Sequence, residues 1–147
     1  MIEKTLSKFE QEHQPRVVTR AAQFFETITE GRYPEVVSGE DALSVISRDG
    51  ERIDVIDLST GTVQQLYLCL RFALAEEFAE KGTLLPLIMD DVLVNFDPER
   101  AVQVAQVIAD VSIRHQVLLL TCHPETRTLI EHAVPDARIV ELQRFAG

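Results

Sequence analysis

The sequence predicts an α/β domain, and three observations carry that reading. Helical stretches alternate with a short, continuously apolar run, residues 84–89, and a second run of strand length, residues 116–121, whose centre Val117 to Leu120 is apolar. Unbroken apolar runs of strand length suit a parallel sheet covered on both faces. Both runs close on polar groups, Asp90-Asp91 in the first and Cys122-His123 in the second. Side chains at the carboxyl ends of parallel strands lie where such sheets gather their ligands.

Between residues 2 and 30 the apolar residues Ile2, Leu6, Phe9, Val17, Ala21, Phe24 and Ile28 recur at helical steps, interrupted near Pro15. One long amphipathic helix or two shorter ones result. Gly31 suits the C′ position that ends this helix, and Pro34 forbids its continuation. Strands follow at residues 33–37, 42–48 and 51–58, the last two joined by Asp49-Gly50. A two-residue Asp-Gly loop favours a type I′ hairpin, which sets Ile46 opposite Ile53 and Arg48 opposite Glu51. Residues 62–81 form a helix that is apolar almost all round between Leu66 and Ala75, and therefore largely buried. Beyond it come a strand at 84–89, a helix at 98–112, a strand at 116–121, a helix at 124–133 and a last strand at 138–142.

A chain of 147 residues with 46% apolar composition is long enough for one domain with a real core. Its net charge of −10 argues against a large phosphate-gripping surface on this chain alone, since such surfaces are basic, and leaves room for a short basic patch. Cys69 and Cys122 lie in apolar runs without metal-like spacing, which predicts buried thiols in a reducing compartment, the cytoplasm. No run reaches the ~18 apolar residues of a membrane helix. The opening MIEKTLSKFE has no apolar signal-peptide core, so export is not expected.

Why two carboxylates interrupt the apolar run LLPLIMDDVLVNFD is the main chemical question. At the rim of the sheet, a carboxylate can hold Mg²⁺ against nucleotide phosphates while its neighbour orients and polarises an attacking water. The structural alternative is that one of the pair caps a loop or helix. Ser59, Thr60 and Gly61 open the long buried helix, where backbone N–H groups form a ready anion site; an ordinary serine cap is the alternative. Asp97 before Pro98 reads equally as a helix cap followed by proline at N1. His123 follows the strand VLLLT, where it could meet a γ-phosphate or serve a structural role.

In this order and spacing the strings resemble the C-terminal lobe of an ABC-type ATPase head of the SMC, RecN and RecF superfamily. LSTGT is similar to the ABC signature, LPLIMDD to Walker B, NFDPER to the D-loop and LLLTCH to the switch-histidine loop. The strings LSTGTVQQLYLCLRFALAE and LPLIMDDVLVNFD are particularly similar to YhaN-like proteins, SMC-related bacterial ATPases with an Asp-Asp Walker B. The resemblance implies a P-loop NTPase-like C-terminal half. It divides a single domain of residues 1–147 into a coiled-coil end (1–30), β-strands and hairpin (31–58) and the motif-bearing lobe (59–147).

Carried over by residue, the resemblance implies that Asp90 holds Mg²⁺ and that Asp91 is the catalytic carboxylate polarising the water. Ser59, Thr60 and Gly61 would contact the γ-phosphate of ATP bound to a second head; Asn95 and Asp97 would work across the head-to-head interface; His123 would sense the γ-phosphate. Two residues depart from the commonest pattern: Asp91 stands where glutamate is usual, and Thr60 replaces a signature glycine. ATP and Mg²⁺ are the implied cofactors. The implied partners are an N-terminal Walker A lobe, on the same or a separate chain, and a second head in an ATP-dependent dimer. A task in DNA repair or chromosome maintenance is expected, with any DNA contact made through other parts of the assembly and none with a membrane.

No G-x-x-x-x-G-K-[ST] loop occurs, and the six glycines (31, 39, 50, 61, 82 and 147) cannot supply one. The chain alone is therefore expected to be half of an active site, without hydrolysis of its own. Two other classes share some of these features. A receiver-like phosphorelay domain also carries an acidic pair, but after its first strand, and ends later strands in an acceptor Asp and a Lys, whereas here the later strand ends in Thr121-Cys122-His123. The remaining alternative is a non-catalytic ABC-like module for dimerisation or partner docking.

Overall fold

The computed structural model describes residues 16–39 and 42–142. The expected helix ahead of residue 16 lies outside them. Helix α1, residues 16–28 as described, buries Val18, Ala21, Ala22, Phe24, Phe25 and Ile28, a stripe at three- and four-residue steps. It packs on helix α2, Thr60–Glu80, with the Phe24 ring edge-on to Phe72 at 6.0 Å. The Arg20 guanidinium covers the outer face of Phe24 and pairs with Glu76, and Arg16 pairs with Glu80 on the next turn.

The end of α1 differs from the expected glycine stop. Glu30, at φ 52°, takes the left-handed C′ position, and Gly31, at φ 72°, follows as C″. The Gly31 N–H donates to the Glu26 carbonyl at 2.8 Å and the Glu30 N–H to Thr27 at 3.2 Å, which is the Schellman pattern. Arg48 offsets the cost of a non-glycine there. Its guanidinium donates to the Glu30 carbonyl at 2.7 Å and to the Gly31 carbonyl at 3.1 Å, placing a cation at the negative end of the helix.

Strands β1 (Glu35–Ser38), β2 (Leu43–Ile46) and β3 (Arg52–Asp54) form an antiparallel sheet in that order. Its register is one residue off the expected hairpin: Val45 faces Ile53 and Ile46 faces Arg52. The reason is the loop. Ser47 and Glu51 close it through a 2.8 Å bond, leaving three residues, Arg48, Asp49 and Gly50, with Gly50 left-handed at φ 81°. The slip puts Val45 fully inside the core and lets Ser44 donate to the Asp54 carboxylate at 2.8 Å. A 3₁₀ turn, Val55–Asp57, then leads to Ser59.

Strands β4 (Leu87–Asp90) and β5 (Val117–Leu120) pair in parallel, joined through helix α3 (Pro98–Ser112). Helix α4 (Pro124–Ala133) follows β5. β4 starts later than expected, because residues 83–86 are exposed and lie outside the ladder. The expected cover on both faces is also corrected. Met89 packs inward with Leu87, Val117 and Leu119, whereas Ile88 (67% exposed), Leu118 (47%) and Leu120 (46%) form an uncovered outer face. The expected last strand at 138–142 is absent: Ile139, Val140 and Leu142 are exposed and have no ladder partner. Both departures have one cause, namely that β-structure needs a neighbour in space that no described residue supplies.

The core joins α1, the antiparallel sheet, α2, β4 and α3 around Phe25, Ile28, Val45, Leu66, Phe72, Val104 and Val107. Cys69 is buried as expected, and burial pushes its thiol well above the ordinary range, leaving it neutral and inert. Cys122 is exposed, contrary to the expectation for its apolar surroundings, because it lies past the end of β5. No helix among the described residues is long and apolar enough to cross a membrane.

Candidate functional site

The parallel register assembles the site. Asp90 stands opposite Leu120, so the next residues on each strand, Asp91 and Thr121, meet at the carboxyl edge of the sheet. The Thr121 hydroxyl donates to Asp91 Oδ1 at 2.7 Å and accepts the His123 backbone N–H at 3.1 Å. The Cys122 thiol lies 3.8 Å from Asp91 Oδ2, and His123 Nε2 is 3.9 Å from the same oxygen. Asp91 itself is left-handed at φ 45°, and its N–H donates to the Leu120 carbonyl at 2.9 Å. A non-glycine residue in that region is strained, with Asp and Asn the types that tolerate it best, and such strain gathers at functional sites.

These donors hold the Asp91 carboxyl below the usual carboxylate range. The Thr121 hydroxyl has the largest effect, followed among the stabilising groups by the Cys122 backbone N–H, His123 and the Cys122 thiol, with partial desolvation opposing them. Asp91 is thus an anion at neutral pH. Replacing Thr121 with valine should raise its pKa toward the ordinary value. The stability that ionised Asp91 contributes is present above the unfolded-state pKa and lost as pH falls through the lower folded value, so this acid-side dependence should shrink in the variant. A carboxyl-carbon NMR titration reads the shift directly; an unchanged Asp91 midpoint would remove Thr121 from the site.

Asp90, at the end of β4, is exposed, and among the described residues its carboxylate has no hydrogen-bond or ion-pair partner. Its free oxygens are the hard donors that Mg²⁺ accepts. His123 is the N-cap residue of α4 but makes no side-chain capping bond, which leaves its ring to face Asp91.

The other sequence-chosen residues fall elsewhere. Ser59 caps α2 by accepting the Thr62 N–H at 3.3 Å, with Thr60 and Gly61 in the first turn. Asp97 caps α3 through the Arg100 N–H at 3.0 Å, and Pro98 occupies N1. The structural readings of Ser59 and Asp97 are thus both realised. Asn95 is exposed in the turns between Asp91 and Asp97. Thr62 and Asp97 line one cavity with Ile28, Tyr33, Arg100 and Gln103, bringing the starts of α2 and α3 to the same side of the corner after α1. No hydrogen bond or ion pair among the described residues links Ser59, Thr60 or Gly61 to Asp90, Asp91 or His123. Thr121 and Cys122 are the site residues that motif reading passed over. Pairing the two strands end to end would have revealed them.

In fold, the chain is similar to solved SMC head domains. The SMC head domain from Thermotoga maritima superimposes with a TM-score of 0.60 at 19% identity, over 80% of this chain and 40% of that one. By fold, the chain is similar to part of an SMC head domain. The Pyrococcus furiosus Smc head bound to the C-terminal domain of ScpA gives 0.62 at 15% identity, over 87% of this chain and 33% of that one. An SMC ATPase studied for ATP-driven dimerisation and DNA-stimulated activation gives 0.63 at 13% identity, over 84% and 76%. In sequence, the uncharacterized protein YhaN of Bacillus subtilis (strain 168) is 35% identical over 130 residues. That match takes in 86% of this chain but 13% of YhaN, so the chain spans a small part of that relative's length. No protein-family model matches the chain.

Proposed function

We propose that this chain is the C-terminal half of an ABC/SMC-like ATPase head that hydrolyses ATP at a head-to-head interface. The observation that carries the reading is the anionic, left-handed Asp91, held by Thr121 and faced by His123 at the carboxyl edge of the parallel strands. Asp91 polarises the attacking water, and its aim is set by the Thr121 hydroxyl and the strained backbone. Asp90, with hard and unencumbered oxygens, holds Mg²⁺. The ion supplies charge neutralisation on the phosphates, as it does generally in phosphoryl transfer. His123 reads the γ-phosphate from beside Asp91. Ser59, Thr60 and Gly61 present the N-terminus of α2 to ATP on a second head, where backbone N–H groups and the helix dipole favour an anion. Asn95 and Asp97 serve the same interface.

The uncovered face of Ile88, Leu118 and Leu120 supports a missing neighbour, and we assign it to an N-terminal lobe carrying the Walker A loop. Residues 1–30 would be the returning end of a coiled coil, 31–58 the strands and hairpin, and 59–147 the motif lobe. The ATP-driven dimerisation named for the solved SMC ATPase supports a two-head assembly, and its DNA-stimulated activation supports work in DNA repair or chromosome maintenance.

The decisive experiment measures nucleotide turnover of the chain alone and after addition of a P-loop lobe from a YhaN-like protein. The chain alone should show none, and turnover should appear with both lobes present. Robust hydrolysis by the chain alone that Asp91→Asn abolishes would overturn the half-site reading.

A further inference from the structure

Asp91, Cys122 and His123 each offer one ligand atom, and these atoms lie within 4.8 Å of one another. Only two of the three belong to the chemistry proposed above. Cys122 does not, yet its thiol is exposed and turned toward the Asp91 carboxylate at 3.8 Å. We propose that the three side chains form a binding site for a borderline-soft divalent cation of the zinc type, separate from the hard-oxygen Mg²⁺ position at Asp90.

The donor set decides the metal. A thiolate and an imidazole select Zn²⁺ over Mg²⁺ or Ca²⁺, which take oxygen ligands. One carboxylate and one thiolate balance the charge of a divalent ion, and the imidazole binds neutral. On binding, the Cys122 thiol gives its proton to solvent as the metal–sulfur bond forms, so affinity rises with pH. A tetrahedral zinc with bonds of about 2.0–2.3 Å sets its ligands about 3.3–3.6 Å apart. Two of the three separations are 3.8 Å, sulfur to carboxylate, and 3.9 Å, imidazole to carboxylate, and all three ligand atoms lie within 4.8 Å, distances that rotations of side chains at a solvent-facing edge close. Thr121 holds the carboxylate from outside the ligand set at 2.7 Å, as a supporting hydrogen bond does for metal ligands. Three protein ligands leave the fourth position for water or a phosphate oxygen.

The regulatory consequence rests on the ATPase reading. Zinc at this position would occupy both the water-polarising carboxylate and the phosphate-sensing imidazole, and would arrest turnover in a complete head. Binding does not depend on that reading, and the test keeps the two apart.

Zinc is titrated into the chain without nucleotide, in excess Mg²⁺ to fill hard-oxygen sites, using a chromophoric chelator as competitor. Cobalt substitution follows by absorption. One zinc per chain is expected, with a cobalt–thiolate charge-transfer band. Cys122→Ser should abolish that band, and it and His123→Ala should each weaken zinc binding by at least about tenfold. Both residues lie at the solvent-facing edge, and far-ultraviolet circular dichroism checks that the variants fold; Cys122→Ala serves as a second variant. Zinc binding unchanged in Cys122→Ser, or cobalt binding without the sulfur band, would overturn the site. Zinc bound as described to a head that never hydrolyses ATP would leave the site standing and remove the ATPase reading.

Discussion

In a head completed by a Walker A lobe, Asp91→Asn is expected to lower ATP turnover by about 10²–10⁴-fold, the range typical of removing a positioned acid–base group. Nucleotide binding and the thermal midpoint should change little. Asparagine has nearly the size of aspartate and tolerates the left-handed backbone at φ 45°, so the loop between β4 and α3 keeps its course. What is lost is the negative charge that Thr121 and His123 hold in place. Steady-state turnover with ATP binding measured in parallel separates the cases. Near-native turnover would mean that Asp91 does not polarise the attacking water, and would favour a docking role for the lobe.

The largest expected effect on stability is at Phe72. Replacing it with alanine should cost about 3–5 kcal/mol, the usual range for a fully buried phenylalanine. Phe72 is 1% exposed and meets Phe24 edge to face at 6.0 Å, so its ring joins α1 to α2 at the centre of the core. Such aromatic pairs add about 0.5–1.5 kcal/mol beyond their buried area. Urea unfolding measures the loss. A cost below about 1 kcal/mol would mean that the α1–α2 interface repacks and that Phe72 is not central to it.

Some elements were legible because their signals are local. Asp97-Pro98 and His123-Pro124 start α3 and α4, and the residue-98 and residue-124 beginnings were read directly from them. Helix α2 begins two residues earlier than its apolar pattern, because Ser59 supplies the cap. Other features were misread where a partner far away in sequence decides the outcome. A two-residue turn at Asp49-Gly50 is a sound local reading, but Ser47 and Glu51 close a longer loop, and the register moves by one. Glu30 could accept a left-handed backbone because Arg48, 18 residues away, binds its carbonyl. Cys122 looked buried among apolar neighbours, yet it stands beyond the end of β5.

By itself, then, the sequence determined the α/β class, the order of helices and strands from β1 to α4, the starts of α3 and α4 and which residues close β4 and β5. Those features are set by periodicity and by hydrogen bonds within one turn of chain. Only the tertiary structure decided which of the closing residues meet. Parallel pairing of Asp90 with Leu120 brings Asp91 against Thr121, Cys122 and His123 across about 30 residues, and leaves Ile88, Leu118 and Leu120 uncovered on the outer face. Strand register and face cover are properties of neighbours in space, and no local pattern in a single strand specifies them.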